Sequence, residues 1–409
     1  MEPIVWGKAP EEIIYEILVR LPVKSLLGCT AVCKSWSCMI KSPTFIHTHL
    51  NNRLIESNHR NNDGVQLLLH NPEFELYSLY RDDDDPRASS STLREYTDLD
   101  NPYQVYAERT RSRTWGSEFV GTCNGLVCLA AEDIDLTTLV WNPSIRKFVV
   151  LPKSGVTFCH GHGREARCAF GYDRRANDYK VLRRVSCFQE GKFISCQYEI
   201  WSLAKGSWKT LNTGNDRHRH ERDIEQRDFD AGHPPAFVNG ALHWVQVNVN
   251  TGNISVGSFD MSDEVFSKIT IPPEAETQKC FDSDPHCVVS RYRESLAFFE
   301  SSEERRESVG CGWLLHMTMW VMKEYGVAKS WDKLFAICLE GSICRLVGCR
   351  KSGDEVVLKL IVDNVQYRSV NSKTKQVKNL QIKGSCRYSV MDAFTESLVL
   401  LDQPNVFTY

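Results

Sequence analysis

The spacing of apolar positions changes once along the chain, from a helical period at the start to a strand-like one for the remainder. From Pro10, the residues Ile13, Ile14, Ile17, Leu18 and Leu21 recur at i, i+1, i+4, i+5 and i+8, the stripe of a single helical face. Pro10 suits a first helical turn and Pro22 ends the run. Leu26, Cys29, Cys33, Trp36 and Ile40 fall three or four apart and predict a second helix. Ser42-Pro43 caps a third, which carries Phe45, Ile46 and Leu50. Three short helices cannot bury this much apolar surface among themselves, so the segment reads as a docking module.

Beyond about residue 60 the pattern becomes that of strands and turns. Its organising signal is a repeat of aromatic-rich hairpins: Leu139 to Phe148, Glu199 to Trp208, and Gly257 to Phe266. In each, an apolar residue precedes Asn, Ser or Asp, and a second apolar residue follows seven positions after the first. Trp141 is thereby matched with Phe148, Trp201 with Trp208, Phe259 with Phe266, and, in a degenerate copy, Val370 with Val377. A related copy with a longer connection runs from Trp320 to Trp331, and the segment from Phe74 to Leu79 reads as the first member. Asn124-Gly125 and Asn239-Gly240 mark further hairpins between the copies. With roughly sixty residues and about four strands per period, the expectation is an all-β propeller of about six blades, closed by strands around Tyr388 to Leu401 that complete the first blade. Few strand signals occur over 80–118, which reads as a loop-rich insert. The resulting fold class is α+β multidomain, a three-helix module followed by a propeller.

Composition narrows the function. Charged residues make up 25% of the chain and the formal net charge is −3, which leaves no strong field for nucleic acid. No stretch approaches the ~20 apolar residues of a membrane span, and the charged start (Glu2, Lys8, Glu11, Glu12) is unlike a secretory leader. The expected location is cytoplasmic, nuclear or both. Sixteen cysteines scattered through helix and strand patterns read as mostly reduced, buried thiols. Cys159, His160, His162 and Cys168 could in principle crowd a zinc ion, but they lack the paired spacings of a zinc site, and no metal or cofactor is expected. The charged stretch from Asp216 to Asp223, Asp82 to Asp85 and the cluster from Glu303 to Glu307 read as solvated loops. There is no Gly-x-Ser-x-Gly elbow, P-loop or dinucleotide fingerprint, and no residue is offered as catalytic.

Several fixed residues resemble the F-box: Pro10-Glu11-Glu12-Ile13, Leu21-Pro22-Val23-Lys24-Ser25-Leu26, Val32-Cys33-Lys34-Ser35-Trp36 and Ser42-Pro43-Thr44-Phe45. One departure is Ala9, where the family usually begins Leu-Pro. The remainder resembles the F-box-associated domain of plant F-box proteins, the F-box/kelch-repeat and S-locus F-box group. That likeness is carried by Cys123-Asn124-Gly125-Leu126-Val127-Cys128, Trp141-Asn142-Pro143-Ser144-Ile145-Arg146-Lys147, Phe170-Gly171-Tyr172-Asp173, Asn177-Asp178-Tyr179-Lys180-Val181 and Phe237-Val238-Asn239-Gly240-Ala241-Leu242-His243-Trp244. The Gly-Gly pair usual in kelch blades is absent. These motif residues are read as blade packing and turns, with Asn142-Pro143 and Asp173 ending strands or bonding turn amides.

The resemblance implies an F-box domain over 5–50, an F-box-associated β-propeller over 60–409, and a non-catalytic substrate receptor of a Skp–cullin–F-box ubiquitin ligase. The adaptor-binding residues it implies are Pro10, Ile13, Ile14, Ile17, Leu18, Leu21, Pro22, Leu26 and Trp36, shared between the Skp-type adaptor and the helices' own packing. Through the adaptor the chain would reach a cullin, while the propeller would hold a target protein whose identity the sequence does not give. Alternatives are a propeller that sequesters a partner without ubiquitin transfer, or one that binds glycans.

Overall fold

The computed structural model describes residues 10–59, 65–71, 76–83, 92–110, 116–131, 137–155, 163–189, 192–211, 226–227, 233–248, 251–276, 287–305, 313–350, 354–361, 364–380, 382 and 389–409. Four helices come first: α1 (Glu11–Leu18), α2 (Val23–Cys29), α3 (Lys34–Ile40) and α4 (Pro43–His59). The expected three become four because the second pattern is cut. Ala31 and Val32 donate to the carbonyls of Gly28 and Cys29 in a tight turn, and extended Cys33 then caps α3 by accepting from Trp36 N at 3.5 Å. α4 also runs well past residue 50, the boundary expected for this domain.

Six antiparallel sheets follow. The first joins Val390–Phe394 to Val65–Asn71, Leu76–Asp83 and Thr92–Leu99. The second runs Ser117–Cys123, Leu126–Ala131, Thr138–Asn142, Lys147–Val150, with Phe407–Thr408 added at its outer edge. The third runs Gly163–Asp173, Asp178–Gln189, Lys192–Ser202, Ser207–Leu211. In the fourth, Gln226–Arg227 and Ala236–Val238 both pair with Ala241–Asn248, followed by Ile254–Asp260 and Val265–Ile269. The fifth is Cys287–Tyr292, Ser295–Arg305, Trp313–Met322, Trp331–Glu340, and the sixth Ser342–Cys349, Glu355–Ile361, Val365–Asn371, Val377–Leu380. Contacts between inner strands run from each sheet to the next and return from Val390–Phe394 to Ser117–Cys123, so the sheets form a closed ring.

Register bears out the hairpin repeat. Trp141 faces Phe148, Trp201 faces Trp208, Phe259 faces Phe266 and Val370 faces Val377, each directly across its ladder. The hairpin between Trp320 and Trp331 also forms, but a bulge after Met319 sets Trp320 opposite Lys333 and Trp331 opposite Met322. Asn124-Gly125 and Asn239-Gly240 take positive φ at both residues, the backbone that a two-residue hairpin turn needs and that Asn-Gly tolerates. Closure occurs as expected, because Val390–Phe394 pairs with Val65–Asn71. The 80–118 segment is not a plain loop: it holds Thr92–Leu99 and a helix, α5 (Pro102–Thr110), whose Tyr103 hydroxyl donates to Thr137 O at 2.5 Å and lies 3.1 Å from Leu129 O. Its polar sequence conceals this because only Pro102 and Tyr103 of α5 are buried.

The helices and the propeller share one apolar core. Leu18, Val19, Val23, Leu26, Ile40, Phe45 and Ile46 pack in the same cluster as Ile145, Leu151, Leu398, Leu400 and Leu401. The short helical turn Pro143–Ile145 is the platform under α2. It is fixed by Asn142, whose side-chain oxygen accepts from Ser144 N at 2.9 Å while its amide donates to Ser397 O and Val399 O.

Candidate functional sites

α1 carries two apolar stripes. Ile14 and Leu18, four residues apart, turn inward, Leu18 into the shared core. Ile13 and Ile17 turn the other way and are 53% and 42% exposed. Of the nine residues expected at an adaptor face, Pro10, Ile13, Ile17 and Pro22 are exposed, and Ile14, Leu21 and Trp36 are half-buried. Leu18 and Leu26 are fully buried against the propeller seam, so their burial energy is already spent inside this chain. Val32, on the turn between α2 and α3, is 62% exposed. It lies within a motif singled out from the sequence, yet its outward position follows from the unforeseen break between helices.

Buried His49 holds this module's shape. Its Nε2–H donates to Leu21 O at 2.9 Å, tying α4 to the corner between α1 and α2, and its ring stacks over Phe45. Burial lowers its pKa, with the Leu21 bond opposing, so the ring is neutral at physiological pH.

A second site is the propeller channel, which opens into a chamber of about 760 Å³. Its walls are inner strands and the turns that follow them, and Leu54 of α4 also lines it. Arg291 of the fifth sheet contacts Asp392 of the first at 3.3 Å, and Asp392 also accepts from Thr122 Oγ1 of the second at 2.6 Å and from Ala393 N at 2.7 Å. Three sheets thus meet across the channel. Arg293, on the turn after the fifth sheet's inner strand, pairs with Asp354 at 2.8 Å, and Lys373 shares that carboxylate at 3.0 Å. Arg174 lies on the matching turn of the third sheet.

Burial pushes the Cys123 and Cys349 thiols up to about 12, and does the same to Cys168, whose Sγ lies 3.9 Å from Thr138 Oγ1. Cys159, His160 and His162 lie outside the described residues, as does the stretch from Asp216 to Asp223. Among the described residues no three His, Cys, Asp or Glu side chains are grouped to hold a metal ion, and no helix is long and apolar enough to cross a membrane.

The motif residues of the propeller take structural roles. Asp173 Oδ1 accepts from Arg175 N and Ala176 N in its turn, while its other oxygen pairs with Lys180 at 2.8 Å. Lys180 also donates to Met261 O and to Glu264 at 3.1 Å, joining the third sheet to the fourth. Burial alone would raise the Asp173 pKa, but hydrogen bonds from Lys180 and Ser262 outweigh it and hold the carboxyl at about 2.

Comparison with known proteins agrees with this architecture. Residues 6–53 match the F-box-like family and residues 76–403 the F-box associated beta propeller domain. The F-box protein CPR1 of Arabidopsis thaliana is 25% identical over 417 aligned positions, covering 96% of this chain and 88% of that one. An F-box/kelch-repeat protein of the same plant is 26% identical over 340 positions, covering 80% and 79%. With its helices and nearly all of its propeller matched, the chain belongs to the F-box proteins that carry an F-box associated β-propeller domain.

Proposed function

We propose that this chain is the substrate-recognition subunit of a Skp–cullin–F-box ubiquitin ligase, its helices binding the Skp-type adaptor and its propeller holding a target for ubiquitination and degradation. The observation that carries this reading is the outward stripe of Ile13 and Ile17 on α1, left exposed while the opposite stripe is consumed by the propeller seam. Apolar side chains in this position supply anchors for a helical partner. The adaptor face is therefore Pro10, Ile13, Ile17, Pro22 and Val32, bordered by Ile14, Leu21 and Trp36, while Leu18 and Leu26 support it from beneath. Chemistry belongs to the conjugating enzyme, and this chain contributes proximity by holding a target lysine at a fixed distance. Such a role belongs in the cytosol or nucleus.

The test is co-expression with a Skp-type adaptor. We expect a one-to-one complex that is lost in an Ile13→Asp, Ile17→Asp variant whose thermal unfolding is unchanged, and a target whose lifetime lengthens in cells carrying that variant. Failure of the intact chain to bind the adaptor overturns the ligase reading. Adaptor binding without any effect on the captured partner's lifetime leaves a sequestering protein instead.

A further inference from the structure

Two guanidinium groups lining the chamber, Arg291 and Arg174, keep donors to spare. Arg291 makes one long contact to Asp392, a carboxylate that already accepts from Thr122 and Ala393 N. It thus commits a small part of its five N–H donors. Among the described residues neither a hydrogen bond nor an ion pair engages the Arg174 guanidinium. Arg293 stands beside them and pairs with Asp354, which Lys373 also contacts. Glu294 is the other acid on this wall, and buried Arg350 is matched by Glu355 at 2.5 Å. The three arginines stand on two different sheets with the fourth sheet between them, around a cavity large enough for a compact metabolite.

We propose that this chamber binds a compact polyanion, a molecule or side chain bearing phosphate or clustered carboxylates, gripped by Arg174, Arg291 and Arg293. Guanidinium groups are suited to this because each presents paired N–H donors to two oxygens of a phosphate or carboxylate. This inference does not depend on the adaptor: it concerns the propeller alone and is read without any ligase component.

The experiment is a thermal-unfolding titration of the full chain with pyrophosphate, citrate and a phosphoserine peptide, at constant ionic strength set with sodium chloride. We expect a saturable rise in Tm with at least one of them. The half-saturating concentration should increase at least tenfold in Arg174→Ala and in Arg291→Gln, and stay unchanged in Lys205→Ala, which removes an equal charge from an exposed turn outside the chamber. Pyrophosphate or citrate acting alone identifies a free small molecule, and the peptide acting alone a phosphorylated protein side chain. No saturable shift with any probe, or an equal shift in Arg174→Ala, overturns the proposal. Arg174 is exposed on a turn, so its variant remains informative should Arg291→Gln fail to fold.

Discussion

Two of this molecule's seams differ in whether charge is added to their apolar packing. The seam between the helices and the propeller is apolar, with Leu18, Leu26, Ile40 and Phe45 packed in one cluster with Ile145, Leu398 and Leu400. The seam between the third and fourth sheets packs Leu182 and Ile200 with Leu242 and Phe259 and adds an ionic cluster at its edge, with Lys180 held by Asp173, Glu264 and Met261 O, and Glu264 also paired with Lys209 at 2.6 Å. Apolar burial is non-directional and indifferent to pH, so the first seam tolerates small shifts of its parts. A buried ion pair requires its partners at hydrogen-bond distance, so the second seam fixes the angle between sheets at the cost of sensitivity to protonation and to loss of either partner.

Removing one side of the ionic cluster should have the largest effect. Lys180→Met leaves the Asp173 carboxylate buried without its cation and is expected to cost about 3–5 kcal/mol in urea unfolding. A smaller loss would mean that the turn amides and Ser262 suffice to hold the charge. Leu26→Ala in the apolar seam is expected to cost about 3 kcal/mol through lost burial and a cavity. It should also weaken adaptor binding without touching the adaptor, which copurification of the variant measures.

Acid separates the seams next. The Asp173 carboxyl is held at about 2, below its unfolded value, so its contribution is complete above about pH 4 and is lost as pH falls through the folded value. Glu264 is lowered as well: burial would raise its pKa, but hydrogen bonds from Lys209 and Lys180 outweigh this, which adds to the same acid loss. We expect unfolding free energy to drop by roughly 2 kcal/mol between pH 4 and pH 2 on account of Asp173, and this part of the drop to vanish in Asp173→Asn. The smallest effect is expected at the second sheet's outer edge. There the Trp141 Nε1–H donates to the Tyr409 hydroxyl at 2.7 Å, and Tyr409→Phe should lower stability by about 1 kcal/mol in the same assay.

The two seams also differ in how far the sequence discloses them. Hairpin pairs such as Trp141 with Phe148 were legible because both partners and their turn lie within one short window. The outward and inward stripes of α1 follow from helical spacing, but which stripe faces the propeller does not. That depends on Ile145 and Leu398, hundreds of positions away in part, and Leu18 and Leu26 therefore read equally well as adaptor contacts. Lys180 and Glu264 look like ordinary turn and surface charges until the third and fourth sheets are set side by side. The chamber is hidden for the same reason: Thr122, Arg291 and Asp392 become neighbours only when the ring closes.

That closure sets the order in which the chain becomes competent during synthesis. The strand that completes the first sheet, Val390–Phe394, and the leucines that share a core with Leu18 and Leu26, Leu398, Leu400 and Leu401, leave the ribosome long after the helices and strands they complete. Until then the floor under the N-terminal helices is incomplete and the first sheet has an open edge. A prematurely terminated chain thus presents uncovered leucines and unpaired strand amides, marks that chaperones and proteases act on, rather than a finished adaptor face attached to an unfinished propeller.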